Sequence, residues 1–299
     1  MTTEAALLRH IYERSRALHG AGPIEVGPGD DAAVVRFGGE RLLLTVDQLV
    51  EGRHYDPATT PVDLIARKAV ARSVSDIAAM AGAPIAALAT GALRDGFAQD
   101  NELFDAMARW ASHWGCPLIG GDIARVHGPT VLTVTVLGRV HPARGPVLRS
   151  GARPGDGVYL TGAIGGSLQS GRHLRFEPRL REAAWLADTL GERLHAMLDV
   201  SDGLGRDAAR ISEASAVRIE IDPALIPLHP DAGAWAEAAA QGEDHELLFT
   251  ASGVVPQTDP EAGVVVTRIG SVVEGVGCVV RGSSGEIVDL SAMGWDHAG

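Results

Sequence analysis

Apolar and polar positions along this chain switch between a helical and a two-residue period, and the switches mark out its elements. In residues 4–19, Leu7, Leu8, Ile11, Tyr12 and Leu18 recur at helical spacing and predict an amphipathic helix. Residues 33–37 and 41–47 read as strands joined by Gly38-Gly39, a hairpin turn. Residues 62–81 carry a long helical pattern, with Pro61 near its start and Gly82 just past its end. A strand is expected at 84–93, a helix at 101–114 stopped by Gly115, and a strand at 130–140. Further on, strands are expected at 157–161, 196–200, 217–221, 246–250, 264–273 and 277–281, with helices at 204–215 and 234–240. Between the two series lies HPARGPVLRSGARPGD, residues 141–156, rich in proline, glycine and arginine. The expectation is an α/β (α+β) protein of two domains, residues 1–141 and 142–299.

Composition narrows the possibilities. A chain of 299 residues, 45% hydrophobic, can bury a sizeable core. Its net charge of -12 argues against a nucleic-acid partner, whose phosphates demand lysine and arginine. Lys68 is the single lysine, so a lysine-based phosphate cradle has one candidate. Residues 77–93 are uncharged, but Pro84 and an excess of alanine and glycine make them a helix end and a strand, not a membrane span. The opening Met1-Thr-Thr-Glu-Ala-Ala has no signal-peptide character, and Cys116 and Cys278 form no CxxC. The expected setting is the reducing cytoplasm, with no membrane partner.

The chemistry lies in the aspartates. Asp30 and Asp31 (GPGDDAAVV), Asp47 (LLLTVD), Asp76 (SVSDIAAM), Asp122 (LIGGDIAR), and Asp199 and Asp202 (MLDVSDGLG) fall at strand ends or turns, most beside glycine. Aspartate favours turns and helix caps for its own hydrogen bonding, which suffices for any one of them. Seven beside apolar runs point instead to convergence at a sheet edge. Two carboxylates about 4 Å apart repel by roughly 4 kcal/mol at an effective dielectric of about 20, so such a cluster requires cations. All-oxygen ligands select Mg²⁺, Ca²⁺ or Mn²⁺, and the zinc patterns HExxH and CxxC are missing. Mg²⁺ shares its shell with substrate phosphates, so polyphosphate chemistry is indicated.

Other phosphate motifs fare worse. There is no GxxxxGK[ST], and Lys68 falls in a helical pattern rather than a kinase-type strand. Gly203-Leu-Gly205-Arg-Asp-Ala208, with Glu220 beyond it, looks like a dinucleotide fingerprint, but Asp199 and Asp202 would face the pyrophosphate. No nucleophile–base pair stands out among the eleven histidines, although His54, in VEGRHY, follows Asp47 closely.

GDDAAVV, TVDQLVEGRHY, SVSDIAAMAGAP, LIGGDIAR, LRSGARPGDGVYLTG, LDVSDGL, GEDHELLFT and RIGSV together resemble, in order and spacing, the thiamine-monophosphate kinase family. That family lies in the superfamily of aminoimidazole ribonucleotide synthetase. The likeness runs from the first helix to the closing GWDH. The family's Thr-Thr-Asp reads Thr45-Val46-Asp47 here, its Gly-Gly-Glu-Asp-Tyr-Glu reads Gln241-Gly242-Glu243-Asp244-His245-Glu246, and residues 165–178 form a shortened loop.

The resemblance implies the two-domain fold of that superfamily and a homodimer whose N-terminal sheets join in a barrel. It implies transfer of the ATP γ-phosphate to thiamine monophosphate with several Mg²⁺ ions. Asp30, Asp31, Thr45, Val46 through its carbonyl, Asp47, Asp76, Asp122, Asp199 and Asp202 would then bind metal. Gly121, Asp122, Arg149 and Ser201 would contact ATP, and His54, Glu243 and Trp295 the thiamine. The acceptor is an anionic phosphate oxygen, so no general base is expected, and transfer is metal-assisted through Asp47, Asp122 and Asp202. The rivals are another ATP-using activity of the superfamily, such as ribonucleotide cyclisation or hydrogenase maturation, and a non-catalytic ATP- or metal-binding relative. The presence of His54, Glu243 and Trp295 together weighs against the last.

Overall fold

The computed structural model describes residues 4–258, 263–282 and 287–295, so Asp296 and His297 of the closing segment lie outside the described residues. The first half of the chain runs α1 (Glu4–Ser15), β1 (Ile24–Val26), β2 (Ala33–Phe37), β3 (Glu40–Val50), α2 (Val62–Ala79), β4 (Ala83–Arg94), α3 (Asp100–His113), β5 (Leu118–Val126) and β6 (Val131–Arg139). Its strands form one sheet in the order β1-β2-β3-β6-β4-β5, antiparallel apart from the β4–β5 pair. The second half runs β7 (Gly157–Thr161), α4 (Leu180–Leu190), β8 (Leu194–Asp199), α5 (Leu204–Ser215), β9 (Arg218–Ile221), α6 (Trp235–Ala240), β10 (Leu247–Ala251), β11 (Val266–Val273), β12 (Gly277–Arg281) and β13 (Ile287–Asp289). These strands form a second sheet in the order β13-β12-β9-β11-β7-β10-β8. Residues 140–156 pass between the sheets without helix or strand.

The hairpin follows from Gly38 and Gly39, which take φ of 58° and 97°, the positive values a two-residue turn requires. Strand β3 then alternates: Leu43, Thr45 and Leu49 are buried towards the helices, and Leu44 and Val46 face outwards.

Helix α2 is enclosed on nearly all sides. Ile65, Val70, Val74 and Ile77 pack with Leu43, Leu132 and Val134 of the first sheet and with Leu103 and Met107 of α3. Ala78 and Ala79 pack instead with Val147, Leu186, Met197 and Phe249 of the second half. A helix held between two sheets leaves little room for large side chains, which accounts for its run of alanines. It closes with Ala81 N–H bonded to Ala78 O and Gly82 N–H to Ile77 O, a Schellman motif. The helix therefore ends two residues short of the expected 81, and Ala81, at φ 55°, takes the left-handed position.

Other departures have local causes. The first helix stops at Ser15 and tightens into a 3-10 turn at Arg16–Leu18, and its Leu7, Ile11, Tyr12 and Leu18 face solvent. Strand β5 lies outside the expected set because its two glycines and Asp122 break any apolar alternation. Strands β1 and β13, three residues each, are too short to carry a period. Helix α4 was also unexpected, yet buried Ala183, Leu186, Ala187 and Leu190 carry the helical spacing.

Candidate active site

Three acidic segments meet between the sheets. Asp31 lies in the turn before β2, Asp76 on α2 and Asp199 at the end of β8, with ligand oxygens within 4.8 Å of one another. Thr45 Oγ1 donates to Asp76 Oδ2, and Ser75 Oγ donates to Asp199 Oδ2 at 2.5 Å. Asp31 accepts two bonds from the Arg149 guanidinium, at 2.6 and 3.3 Å, while the backbone N–H of Arg149 points at both oxygens of Asp30 at 3.2 Å.

The electrostatics show how crowded the carboxylates are. Burial, and then the charges of Asp47, Asp199 and Asp31, push Asp76 well above the usual carboxylate range. Burial and the neighbouring Asp31 push Asp30 up to about 7. Burial works the same way on Asp199, but hydrogen bonds from His245 and Ser75 overcome it and hold this carboxyl low. Three convergent carboxylates against the Arg149 guanidinium on Asp31 and the His245 ring on Asp199 still leave negative charge unbalanced, and the donors are all oxygen. That set fits a hard divalent cation.

The remaining expected residues fall into two groups. Asp47 lies on the helix-facing side of β3, its Oδ1 3.4 Å from Arg72 Nη2. The loop after β8 is fixed from within: Asp207, buried in the first turn of α5, accepts the Asp202 N–H at 3.0 Å, and Arg210 bonds both carboxylates. Gly121 and Asp122 stand apart. Asp122 pairs through Thr90 and Thr133 with Gln48, on the sheet face opposite Thr45 and Asp47, three strands and about 14 Å away. Within one chain Asp122 does not join the cluster. The side chain of Val46 also points to that outer face.

Beside the cluster opens a cleft lined by His54, Arg72, Ser201, Asp202, Glu243 and Trp295, so all three expected thiamine contacts share one wall. Residues 241–246 reach it through a strained turn in which Glu243 and His245 both take positive φ, 64° and 53°. Main-chain bonds hold the turn: Glu243 N–H to Ser201 O at 2.7 Å and His245 N–H to Val200 O at 2.8 Å. The approach is so close that a Cβ on Gly242 would lie 2.3 Å from Ser201 O. Trp295, half exposed, donates its backbone N–H to Asp202 O and sits 5.8 Å from the Arg53 guanidinium. His54 accepts the Val50 N–H at Nδ1, which fixes its ring.

Glu243 is held by residues that motif reading did not single out for this site. Lys68 Nζ lies 2.9 Å from its Oε2, Arg72 Nη1 3.1 Å from its Oε1, and His245 Nε2 3.4 Å from its Oε2. Burial would raise the Glu243 carboxyl, but Lys68, His245 and Arg72 hold it well below the usual range. His245 also meets Asp199 at 2.9 Å and stacks on Phe176 at 3.9 Å. Burial opposes its charge, yet its two carboxylate partners push it up to about 9. Lys68 is fully buried and committed to Glu243 and the His54 carbonyl, so it is no phosphate cradle. The signal for these residues was their spacing: Lys68, Arg72 and Asp76 recur every four residues on an otherwise alanine-rich helix, a charged stripe along one face. The dinucleotide-like Gly203-x-Gly205 does open α5, but β8 is an edge strand paired antiparallel to β10, which is not the parallel sheet that fingerprint needs.

Known proteins match this chain over nearly its whole length. Residues 29–140 match the family described as AIR synthase related protein, N-terminal domain. The chain is 34% identical to the thiamine-monophosphate kinase of Rhodopirellula baltica, over 98% of this chain and 97% of that one. It is 33% identical to that of Escherichia coli K12, over 98% of each. A solved structure of AaThiL complexed with AMPPCP and TMP superposes with a TM-score of 0.82 at 28% identity, covering 99% of this chain and 97% of the other.

Proposed function

Because this chain belongs to the thiamine-monophosphate kinase family, we propose that its aspartate cluster and adjoining cleft form one site for phosphoryl transfer. The chain phosphorylates thiamine monophosphate with ATP, giving thiamine diphosphate and ADP. The observation that carries the site assignment is the convergence of Asp31, Asp76 and Asp199 beside the wall formed by His54, Glu243 and Trp295.

In this reading Asp30, Asp31, Thr45, Asp47, Asp76, Asp199 and Asp202, with the Val46 carbonyl, would hold several Mg²⁺ ions. Bound there, Mg²⁺ neutralises polyphosphate charge. The chain's own residues do the rest. Arg149 and Ser201 bind the nucleotide phosphates, and Trp295 offers a ring face to the cationic thiazolium. The acceptor phosphate is already anionic, so the site needs positioning and charge compensation rather than a base.

Gly121 and Asp122 belong to the assembled protein. The outer face of the first sheet exposes Leu44, Val46 and Leu88, at 38%, 60% and 46%. An apolar face of that size marks an interface, and a homodimer joined there would carry Asp122 towards the partner's site. Two domains, 1–141 and 142–299, follow the two sheets. Among the described residues no helix is long and apolar enough to cross a membrane, and we assign the enzyme to the cytoplasm.

The test is purified protein with ATP, Mg²⁺ and thiamine monophosphate, followed for thiamine diphosphate. Failure to form it, with another substrate of the superfamily consumed instead, would sink the reading.

A further inference from the structure

We propose that Arg72 binds the phosphate of thiamine monophosphate, as the residue that joins the acceptor pocket to the metal cluster. The proposal rests on the kinase reading above and adds a residue to it.

The acceptor phosphate has to lie between the thiamine pocket and the carboxylate cluster. Among the described residues two side chains touch both: His245, which is buried behind the cleft, and Arg72, which lines it, with Nη1 3.1 Å from Glu243 Oε1 and Nη2 3.4 Å from Asp47 Oδ1. It stands one helical turn before Asp76 on the same stripe of α2, and it lines the cleft with His54 and Trp295.

Its present contacts leave it in surplus. Glu243 carries one negative charge and has Lys68 at 2.9 Å as a fully buried partner. Lys68 is enclosed and cannot follow a ligand, whereas Arg72 retains 13% side-chain exposure into the cleft. The Arg72–Asp47 contact is long for a charged hydrogen bond, and Arg72 Nε is buried with no hydrogen-bond partner among the described residues. A guanidinium with one shared carboxylate, one distant one and an unmatched N–H suits a dianionic phosphate, whose three oxygens match its planar fork. The other arginines near the cluster are more firmly engaged: Arg149 forks onto Asp31, and Arg210 binds Asp202 and Asp207.

The test compares thiamine monophosphate with unphosphorylated thiamine, titrated calorimetrically with Mg²⁺ and no ATP into wild type and Arg72→Gln. The expected result is a loss of roughly ten- to hundred-fold in affinity for thiamine monophosphate, with thiamine affinity and the KM for ATP within about two-fold of wild type. Equal losses for thiamine and its monophosphate, or no loss for either, would overturn the proposal. Arg72→Lys keeps the charge but not the fork, and should weaken the monophosphate several-fold while sparing thiamine. If Arg72→Gln does not fold, wild-type affinity for the monophosphate in Arg72→Lys overturns the proposal by itself. Turnover by wild type tests the kinase reading separately, so the two can fail independently.

Discussion

Lys68 sets its Nζ 2.9 Å from Glu243 Oε2 and 2.9 Å from the carbonyl oxygen of His54. One buried ammonium thus ties a helix packed on the first sheet to a turn of the second and to the loop carrying a proposed thiamine contact. Burying that charge is expensive unless its partners stay in place.

Lys68→Met should therefore lower unfolding stability by about 3 kcal/mol, the low end for breaking a buried pair, because Arg72 still faces Glu243. The double variant Lys68→Met, Glu243→Gln should lose less than the two single losses added together. Urea unfolding checks both statements. A wild-type midpoint for Lys68→Met would mean that the pair contributes nothing net.

Asp47→Asn and Asp202→Asn should each lower turnover by roughly 100-fold or more while leaving the circular dichroism and the assembly unchanged. Both residues sit at strand or loop positions whose backbone bonds do not use the carboxylate, so the fold should persist. Wild-type rates in both variants would reduce these aspartates to turn formers.

The crowded carboxylates give a pH signature. Asp30 is raised to about 7, and Asp76 is raised well above its ordinary value. A raised folded value means that the native state holds the proton more tightly than the unfolded chain does. In cation-free protein the contribution of these two carboxyls should then be fully present below about pH 4 and be lost as pH rises through about 7. Mg²⁺ replaces those protons, so its stabilisation should be larger near pH 8 than near pH 5.5. Thermal unfolding in chelator and in Mg²⁺ at each pH provides the comparison. A Mg²⁺-induced shift in Tm that does not change with pH would contradict it.

If Asp122 acts across the dimer, Asp122→Asn and Asp47→Asn should each be inactive alone but complement when mixed. In a mixed dimer one site keeps its own Asp47 and its partner's Asp122, while the other has neither. Random reassociation should restore about a quarter of wild-type activity. No recovery after verified subunit exchange would place Asp122 outside the partner's site.

Much of this was legible in the sequence because it rests on local rules. The Gly38-Gly39 hairpin, helix 204–215 and strand 277–281 follow from turn chemistry and period alone. Asp31 and Asp199 were visible because aspartates at turns and strand ends are a local pattern, whereas Asp76 lies within α2, and the three do meet. What the sequence hid was relational. Whether Asp122 faces the cluster depends on a register across three strands, since successive residues on a strand face opposite ways. The apolar stripe of α1 has the right period, but period does not say what covers it, and here Leu7 and Ile11 face solvent. His245 is a single letter in a loop, and only the pairing of residues 200–201 with 243–246 reveals that it spans two carboxylates.

Arg149 uses its main chain and its side chain on adjacent aspartates, the first on Asp30 and the second on Asp31. These attachments differ in kind. A cation bound at Asp31 would compete with the guanidinium there, whereas the amide could stay on Asp30. The segment between the two sheets can thus keep its course while the Arg149 guanidinium is released, much as a mooring line stays on the bollard when the gangway is drawn in.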